Sequence, residues 1–289
     1  MEKFTVYSDK TTGIMPFRET PVKVSLLQYL TAVVVLPVRV FLLIILAIVS
    51  PIFSVIAPRA YSRTAAYLFG VGSIEFVVDG VRRSDDKGIR DASPVSGDVV
   101  VVNAIGPLDY LVWKSTSRFP SVVCVALEDG NIAELGFKDW IDWCFSGSVN
   151  ICGNVTTFTK LPRDKVIFLV AEGTVTNGKS VIRFPRGFTL NKIARVKTLS
   201  TRATPVSCTT VGPTSKISWI FTNMGTIVPS IHYRLKLSIV KEGATDDEIR
   251  NTLADNGKMK VIGDSLTVET KRDYLSALEE IKGKNKKRV

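Results

Sequence analysis

Residues 26–57 read LLQYLTAVVVLPVRVFLLIILAIVSPIFSVIA, an apolar run carrying the single charge of Arg39. Nothing else in the chain restricts its fold as strongly, because a helix of this length reaches deep into a bilayer. A polar segment, residues 1–20, precedes the run, which is not the layout of a cleaved signal peptide. Pro37 removes an internal backbone donor, and Arg39 costs roughly 2.5–3.5 kcal/mol at the centre of an inserted helix. A turn at Pro37–Arg39 relieves both. It gives a hairpin of two arms, residues 26–36 and 40–56, that enters one leaflet and returns, with Arg39 snorkelling or facing protein. A single tilted span is the alternative. A buried pair of soluble helices is disfavoured, since so apolar a surface is hard to cover. The hairpin predicts that both flanks are cytosolic.

From residue 67 onward the pattern becomes that of an α/β domain. SIEFVVDG (residues 73–80), DVVVVN (98–103), SVVCVAL (121–127) and KVIFLVAEG (165–173) are short apolar runs of the kind buried on both faces of a sheet. Helical patterns alternate with them. FKDWIDWCF (137–145) places Trp140, Trp143 and Cys144 on one face, as core packing does. Thr245 and Glu248 form a capping box, with a stop at Asn256–Gly257, and KRDYLSALEEIK (271–282) predicts a last helix.

The formal charge of +11 predicts attraction to polyanions: nucleic acid, an anionic membrane or a phosphorylated, CoA-bearing substrate. No basic helix or aromatic-studded strand motif accompanies the charge, so nucleic acid is not an expected partner. Cys124, Cys144, Cys152 and Cys208 are too scattered for a zinc ribbon or redox pair, and His232 is the only histidine. No metal site is expected, and the cysteines read as free thiols of a reducing compartment. The tail KGKNKKRV is either a solvated charge run or, through Lys286 and Lys287, a dilysine address of cytosol-facing endoplasmic reticulum proteins.

Two stretches carry chemistry. In VVVVNAIGPLDYLVW (99–113) a strand runs into a loop from Asn103 to Asp109. In VAEGTVTNGKSVIRFPRGF (170–188) a strand ends at Glu172-Gly173-Thr174, where a sharp glycine turn lets amides and the cations Lys179, Arg183 and Arg186 approach an anion. The alternative for the second stretch is a plain strand-turn-strand with solvated charges. Together they resemble the glycerophospholipid acyltransferase family, with blocks Asn-His-x-x-x-x-Asp, Phe-Pro-Glu-Gly-Thr-Arg, a basic-x-Gly block and a strand with a proline. Asn103 and Asp109 match the first block, Glu172, Gly173 and Thr174 the second, Arg186 and Gly187 the third, and Pro205 fits the fourth. MEK with TGIMPF at the start and LTVETKRDY near the end are similar to the fungal lysophosphatidate acyltransferase branch, so the likeness covers nearly the whole chain.

The resemblance implies an α/β fold, a mixed sheet flanked by helices of the glycerolipid acyltransferase type, behind an N-terminal membrane-embedded helical segment. It divides the chain into a cytosolic segment (1–25), the membrane segment (26–57), the acyltransferase-like domain (58–240) and C-terminal helices with the basic tail (241–289). It implies transfer of an acyl group from acyl-CoA, a co-substrate rather than a cofactor, to the sn-2 hydroxyl of lysophosphatidic acid at endoplasmic reticulum or lipid-droplet membranes. Asn103, Glu172, Gly173, Thr174, Lys179, Arg183 and Arg186 would bind substrate.

Two positions depart from the family. Ala104 stands where the family has its catalytic histidine, and Val175 where it has a phosphate-binding arginine. The histidine removes the acceptor's proton, and such a base contributes about 10²- to 10⁴-fold. Asp109, acting directly or through a water, is the expected substitute, the alternative being a loop cap bonded to nearby amides. The competing functional reading is an acyltransferase fold kept as a lipid-binding or droplet-surface module.

Overall fold

The computed structural model describes residues 2–18, 26–146, 154–157, 162–190, 195–212, 215–263 and 265–286. Its strands are β1 (Val71–Val78), β2 (Val99–Ala104), β3 (Ser121–Ala126), β4 (Ile132–Leu135), β5 (Asn154–Thr156), β6 (Val166–Val175), β7 (Ser180–Val181), β8 (Val196–Thr204), β9 (Ile231–Ile239) and β10 (Lys260–Val261). Its helices are α1 (Leu26–Ile56), α2 (Pro58–Leu68), α3 (Asp86–Ala92), α4 (Asp109–Thr116), α5 (Phe137–Ser146), α6 (Lys216–Met224), α7 (Asp246–Gly257) and α8 (Val268–Lys286).

Eight strands form one sheet in the order β1-β9-β8-β2-β6-β3-β4-β5, and β7 pairs with β10. The centre, β8-β2-β6-β3, is parallel. β9 lies antiparallel to β8, as β4 does to β3 and β5 to β4. Every residue of β2 and β6 is buried, which is why both read as unbroken apolar runs. One face packs Val100, Val102 and Phe168 against Trp113 of α4 and Trp140 and Trp143 of α5. On the other, Ile249, Leu253 and Ala254 of α7 cover Val99, Val101, Ile167 and Leu169. This is the expected mixed α/β sheet flanked by helices.

Local signals hold at most element ends. The Thr245–Glu248 capping box is complete. The helix it opens stops one residue later than Gly257, at Lys258 in the left-handed conformation with φ 49°. The expected sharp turn at Gly173 is instead a bulge inside β6: Val102 pairs with Val170, and Ala104 with Val175. Gly173 has φ +67°, and a Cβ there would lie 2.8 Å from the Ala126 carbonyl oxygen, so only glycine fits.

α1 overturns the hairpin reading of the apolar run and is long and apolar enough to cross a membrane. It is one continuous helix through Pro37 and Pro51, about 46 Å long, with no turn at Pro37–Arg39. It lies against the domain along most of its length. Tyr29 meets Phe221 at 6.0 Å, Ala32 sits under Gly225, and Phe53 meets Tyr61 at 6.0 Å. Arg39 is buried and donates hydrogen bonds to the carbonyls of Met224 (2.8 Å) and Thr226 (2.9 Å). A cation thus meets the negative end of α6, so Arg39 faces protein. The opposite side of α1, including Val34, Phe41, Ile48, Ile52 and Val55, is exposed and apolar.

The flanks of α1 meet each other. Phe17, with Phe4, Tyr7 and Ile14 packed beside it, shares a core cluster with Ile182, Leu266 and Tyr274. Residues before α1 and residues far after it therefore pack together. The same cluster joins residues 2–18 and the C-terminal helices to the central domain, and β10 pairs with β7, so neither end stands apart as a unit. Cys124, Cys144 and Cys208 are buried free thiols; Cys152 and Lys287 lie outside the described residues.

Candidate functional site

The loop between β2 and α4 leaves few polar groups unpaired. The amides of Ile105 (2.6 Å) and Gly106 (2.9 Å) donate to one Asp109 carboxylate oxygen, Oδ2. The carbonyl of Ala104 accepts from the Thr176 amide, that of Ile105 from the Thr210 amide, and that of Leu108 from the Val112 amide. The Pro107 carbonyl accepts from the Trp140 indole at 3.1 Å. Gly106 passes so close to the Cys208 carbonyl that a Cβ would come within 2.7 Å of its oxygen. With its backbone partners satisfied, this loop is fixed.

Asn103 does not face a substrate. Its side-chain oxygen accepts from the Thr201 amide (2.7 Å) and its side-chain nitrogen donates to the Thr201 carbonyl (3.0 Å). The amide group of Asn103 thereby continues the ladder between β2 and β8 where the β2 backbone turns away. Asp109 is likewise enclosed, with no exposed surface. Its second oxygen, Oδ1, accepts the phenolic hydroxyl of Tyr233 on β9 at 3.0 Å. Burial pushes the Asp109 carboxyl up to about 7, against the two amides and the Tyr233 hydroxyl. The carboxylate is the loop cap, and Tyr233, itself buried, closes its second oxygen. Ala104 is also fully buried, in the same core cluster as Val100, Val102 and Cys208.

The Glu172-Gly173-Thr174 block is interior as well, and none of its three residues lines the cleft described below. One Glu172 oxygen accepts from the Ile182 amide at 2.9 Å. Burial pushes its carboxyl up to about 8, opposed by that amide and by Arg250 and Lys271. Lys271, at the start of α8 and fully buried, donates to Thr174 Oγ1 and to the Val175 carbonyl, both at 2.8 Å. A lysine distant in sequence thus brings a cation to the strand where the family pattern has an arginine. Beyond the block, the Asn177 amide donates to the Pro16 carbonyl (3.0 Å) and its side chain to the Met15 carbonyl (2.8 Å). The block and the N-terminal TGIMPF segment together set the position of the loop Asn177-Gly178-Lys179.

That loop forms one wall of a cleft of about 460 Å³ at the carboxyl end of β8. The other walls include Ile105, Thr209, Arg202, Tyr233 and Arg234. Of the three predicted cations, Lys179 lines the cleft, whereas Arg183 and Arg186 are exposed and do not. Arg202 and Arg234 bring the charge instead. The register Arg202↔Arg234 puts them side by side on neighbouring strands. Arg234 meets Glu75 at 3.5 Å, while Arg202 and the Lys179 ammonium have no ion-pair partner among the described residues. His232 points to solvent and its Nδ1 shares a hydrogen bond with Ser73 (2.7 Å), away from Asp109. Sequence reasoning passed over Tyr233, as it passed over Arg202 and Lys271. Alternation along IHYRLKLSI (residues 231–239) held the signal for Tyr233: if His232 faces out, Tyr233 faces the core.

The arrangement offers a cationic cleft for an anionic head group, with a buried tyrosine–carboxylate pair at its wall. No family model and no solved structure matches the chain. Two curated fungal proteins do. Over 318 aligned residues, covering all of both chains, it is 24 % identical to lysophosphatidic acid:oleoyl-CoA acyltransferase 1 of Saccharomyces cerevisiae. Over 307 residues, 96 % of this chain and 98 % of the relative, it is 24 % identical to a Schizosaccharomyces pombe protein given the same activity as a provisional name. These relatives support the resemblance to acyltransferases read from the sequence.

Proposed function

We propose that the protein transfers an acyl group from acyl-CoA to the sn-2 hydroxyl of lysophosphatidic acid, giving phosphatidic acid, at the cytosolic surface of endoplasmic reticulum and lipid droplets. The end-to-end similarity to the two fungal acyltransferases carries this reading. The cleft supports it: Lys179, Arg202 and Arg234 suit a phosphate monoester. Acyl-CoA is the co-substrate, and no cofactor enters. α1 would lie in the plane of the membrane with its exposed apolar side in one leaflet.

In place of a histidine, the base is a relay. As the acceptor hydroxyl oxygen attacks the thioester carbonyl, its proton passes to the Tyr233 oxygen while Tyr233 gives its own proton to Asp109 Oδ1. When the tetrahedral intermediate collapses, the C–S bond breaks, and the proton returns through Tyr233 to the departing CoA sulfur. A carboxyl held near 7 both accepts and returns a proton at neutral pH.

Labelled oleoyl-CoA and a panel of lysophospholipids, given to purified protein in mixed micelles, test the reading. Wild type should acylate lysophosphatidic acid, and Tyr233→Phe and Asp109→Asn should each lose at least about tenfold in kcat with little change in KM. Undiminished turnover by both variants would remove the relay. The second reading, a lipid-binding module that has lost catalysis, is favoured by Ala104 and Val175 and would follow from no transfer to any acceptor.

A further inference from the structure

A second lipid site lies on the other side of α4. Between α1, α2, α4 and α5 is a chamber of about 370 Å³, within the range of about 300–1,000 Å³ usual for small-molecule sites. Its lining is mostly apolar, with Leu43, Leu46 and Ala47 from α1, Ala65 from α2, Leu111 from α4 and Phe137 from α5, and Ser54, Tyr61 and Ser62 among them. Tyr110 and Lys114 stand at one end, and both also line an adjoining polar cavity of about 730 Å³. The two spaces therefore join as an apolar half and a polar half. They share no lining residue with the cleft beside Tyr233.

The polar half is charged and balanced. Lys114 and Lys165 line it with Glu134 and Asp139. All four are partly buried, and none has an ion-pair partner among the described residues. Lys114 meets the Tyr110 hydroxyl at 3.4 Å and the Tyr110 ring at 4.9 Å, and burial holds its ammonium below the usual range against the pull of Glu134. The Glu134 charge acts on the Lys114 ammonium without closing an ion pair, so both keep hydrogen-bonding capacity for a ligand. Two cations and two acids around one space ask for a head group that carries both signs. The chamber beside them, walled by α1, has room for an alkyl chain.

The geometry points to a binding site for a single-chain zwitterionic phospholipid, its acyl chain in the chamber under α1 and its phosphate and amine among Lys114, Lys165, Glu134 and Asp139. The chain enters from the leaflet that α1 touches. The site is independent of turnover in the cationic cleft, so it stands or falls apart from the acyltransferase reading.

Full-length protein on vesicles, photolabelled with lysophosphatidylethanolamine bearing a diazirine in its chain, tests this. Labels should map to α2 and α4. Ala47→Trp fills the chamber from α1, and should cut labelling at least tenfold with the melting temperature and vesicle binding unchanged. Glu134→Gln should weaken competition by lysophosphatidylethanolamine at least threefold and leave competition by lysophosphatidic acid unchanged; Lys114→Met should weaken both. Wild-type labelling in Ala47→Trp, or equal competition by lysophosphatidylethanolamine, lysophosphatidic acid and monoacylglycerol, would overturn the proposal.

Discussion

Arg39, in the middle of the apolar helix α1, donates to the Met224 carbonyl at the last turn of α6, 2.8 Å away. With its second bond to Thr226, it pins a helix that otherwise touches the domain through apolar contacts and a few aromatic edges. Arg39→Leu strands both carbonyls. It should destabilise the protein by about 1.5–3 kcal/mol, the usual scale for hydrogen bonds to a charged group. Denaturant unfolding in detergent measures this, and flotation with vesicles should show that membrane binding persists.

Asp109 and Glu172 predict a pH dependence with a definite sign. Burial raises both carboxyls, to about 7 and about 8, above their unfolded values, so the native state binds more protons than the unfolded state in between. Their contribution is fully present at acid pH near 4 and is lost as pH rises through 7 to 8. Unfolding midpoints at pH 5 and pH 8.5 should therefore differ. In the double variant Asp109→Asn, Glu172→Gln that difference should shrink, because the amides do not titrate.

Restoring the family's histidine should harm the fold before it helps catalysis. Ala104 has no exposed surface and packs in the core. An imidazole there overfills the site, and Ala104→His should cost about 1–3 kcal/mol. Thermal unfolding beside an acyltransfer assay would separate the two effects; a stable variant with raised turnover would contradict the packing argument.

The cations should divide by position. Arg202→Ala and Lys179→Ala, which strip charge from the cleft, should raise KM for lysophosphatidic acid several-fold and leave a neutral monoacyl acceptor almost untouched. Arg186→Ala, outside the cleft, should change neither.

The sequence showed its strands well because buried parallel strands are written as contiguous β-branched runs, and β2, β3 and β6 fall on the predicted stretches. It showed Asn103, Asp109 and the Glu-Gly-Thr block as special, and offered the loop cap for Asp109 only as the alternative that the Ile105 and Gly106 amides now fill. A motif names residue types, and which atoms meet depends on pairings such as Asn103 with Thr201 that span the chain. Tyr233, Arg202 and Lys271 were missed for the same reason: each reaches the site from a distant strand or helix. The continuous α1 was misread because proline and arginine inside an apolar run argue for a break only when nothing compensates, and α6 does.

The exposed apolar side of α1 has a further consequence for where such a protein can reside. A helix that crosses a bilayer must match its hydrocarbon thickness, and membranes sort such helices by that length. In the in-plane placement proposed above, α1 would have no thickness to match. Its partition among membranes should follow how loosely the outer lipids are packed over a strip of exposed valine, isoleucine and phenylalanine, and a surface only one lipid layer deep would serve it as well as a full bilayer.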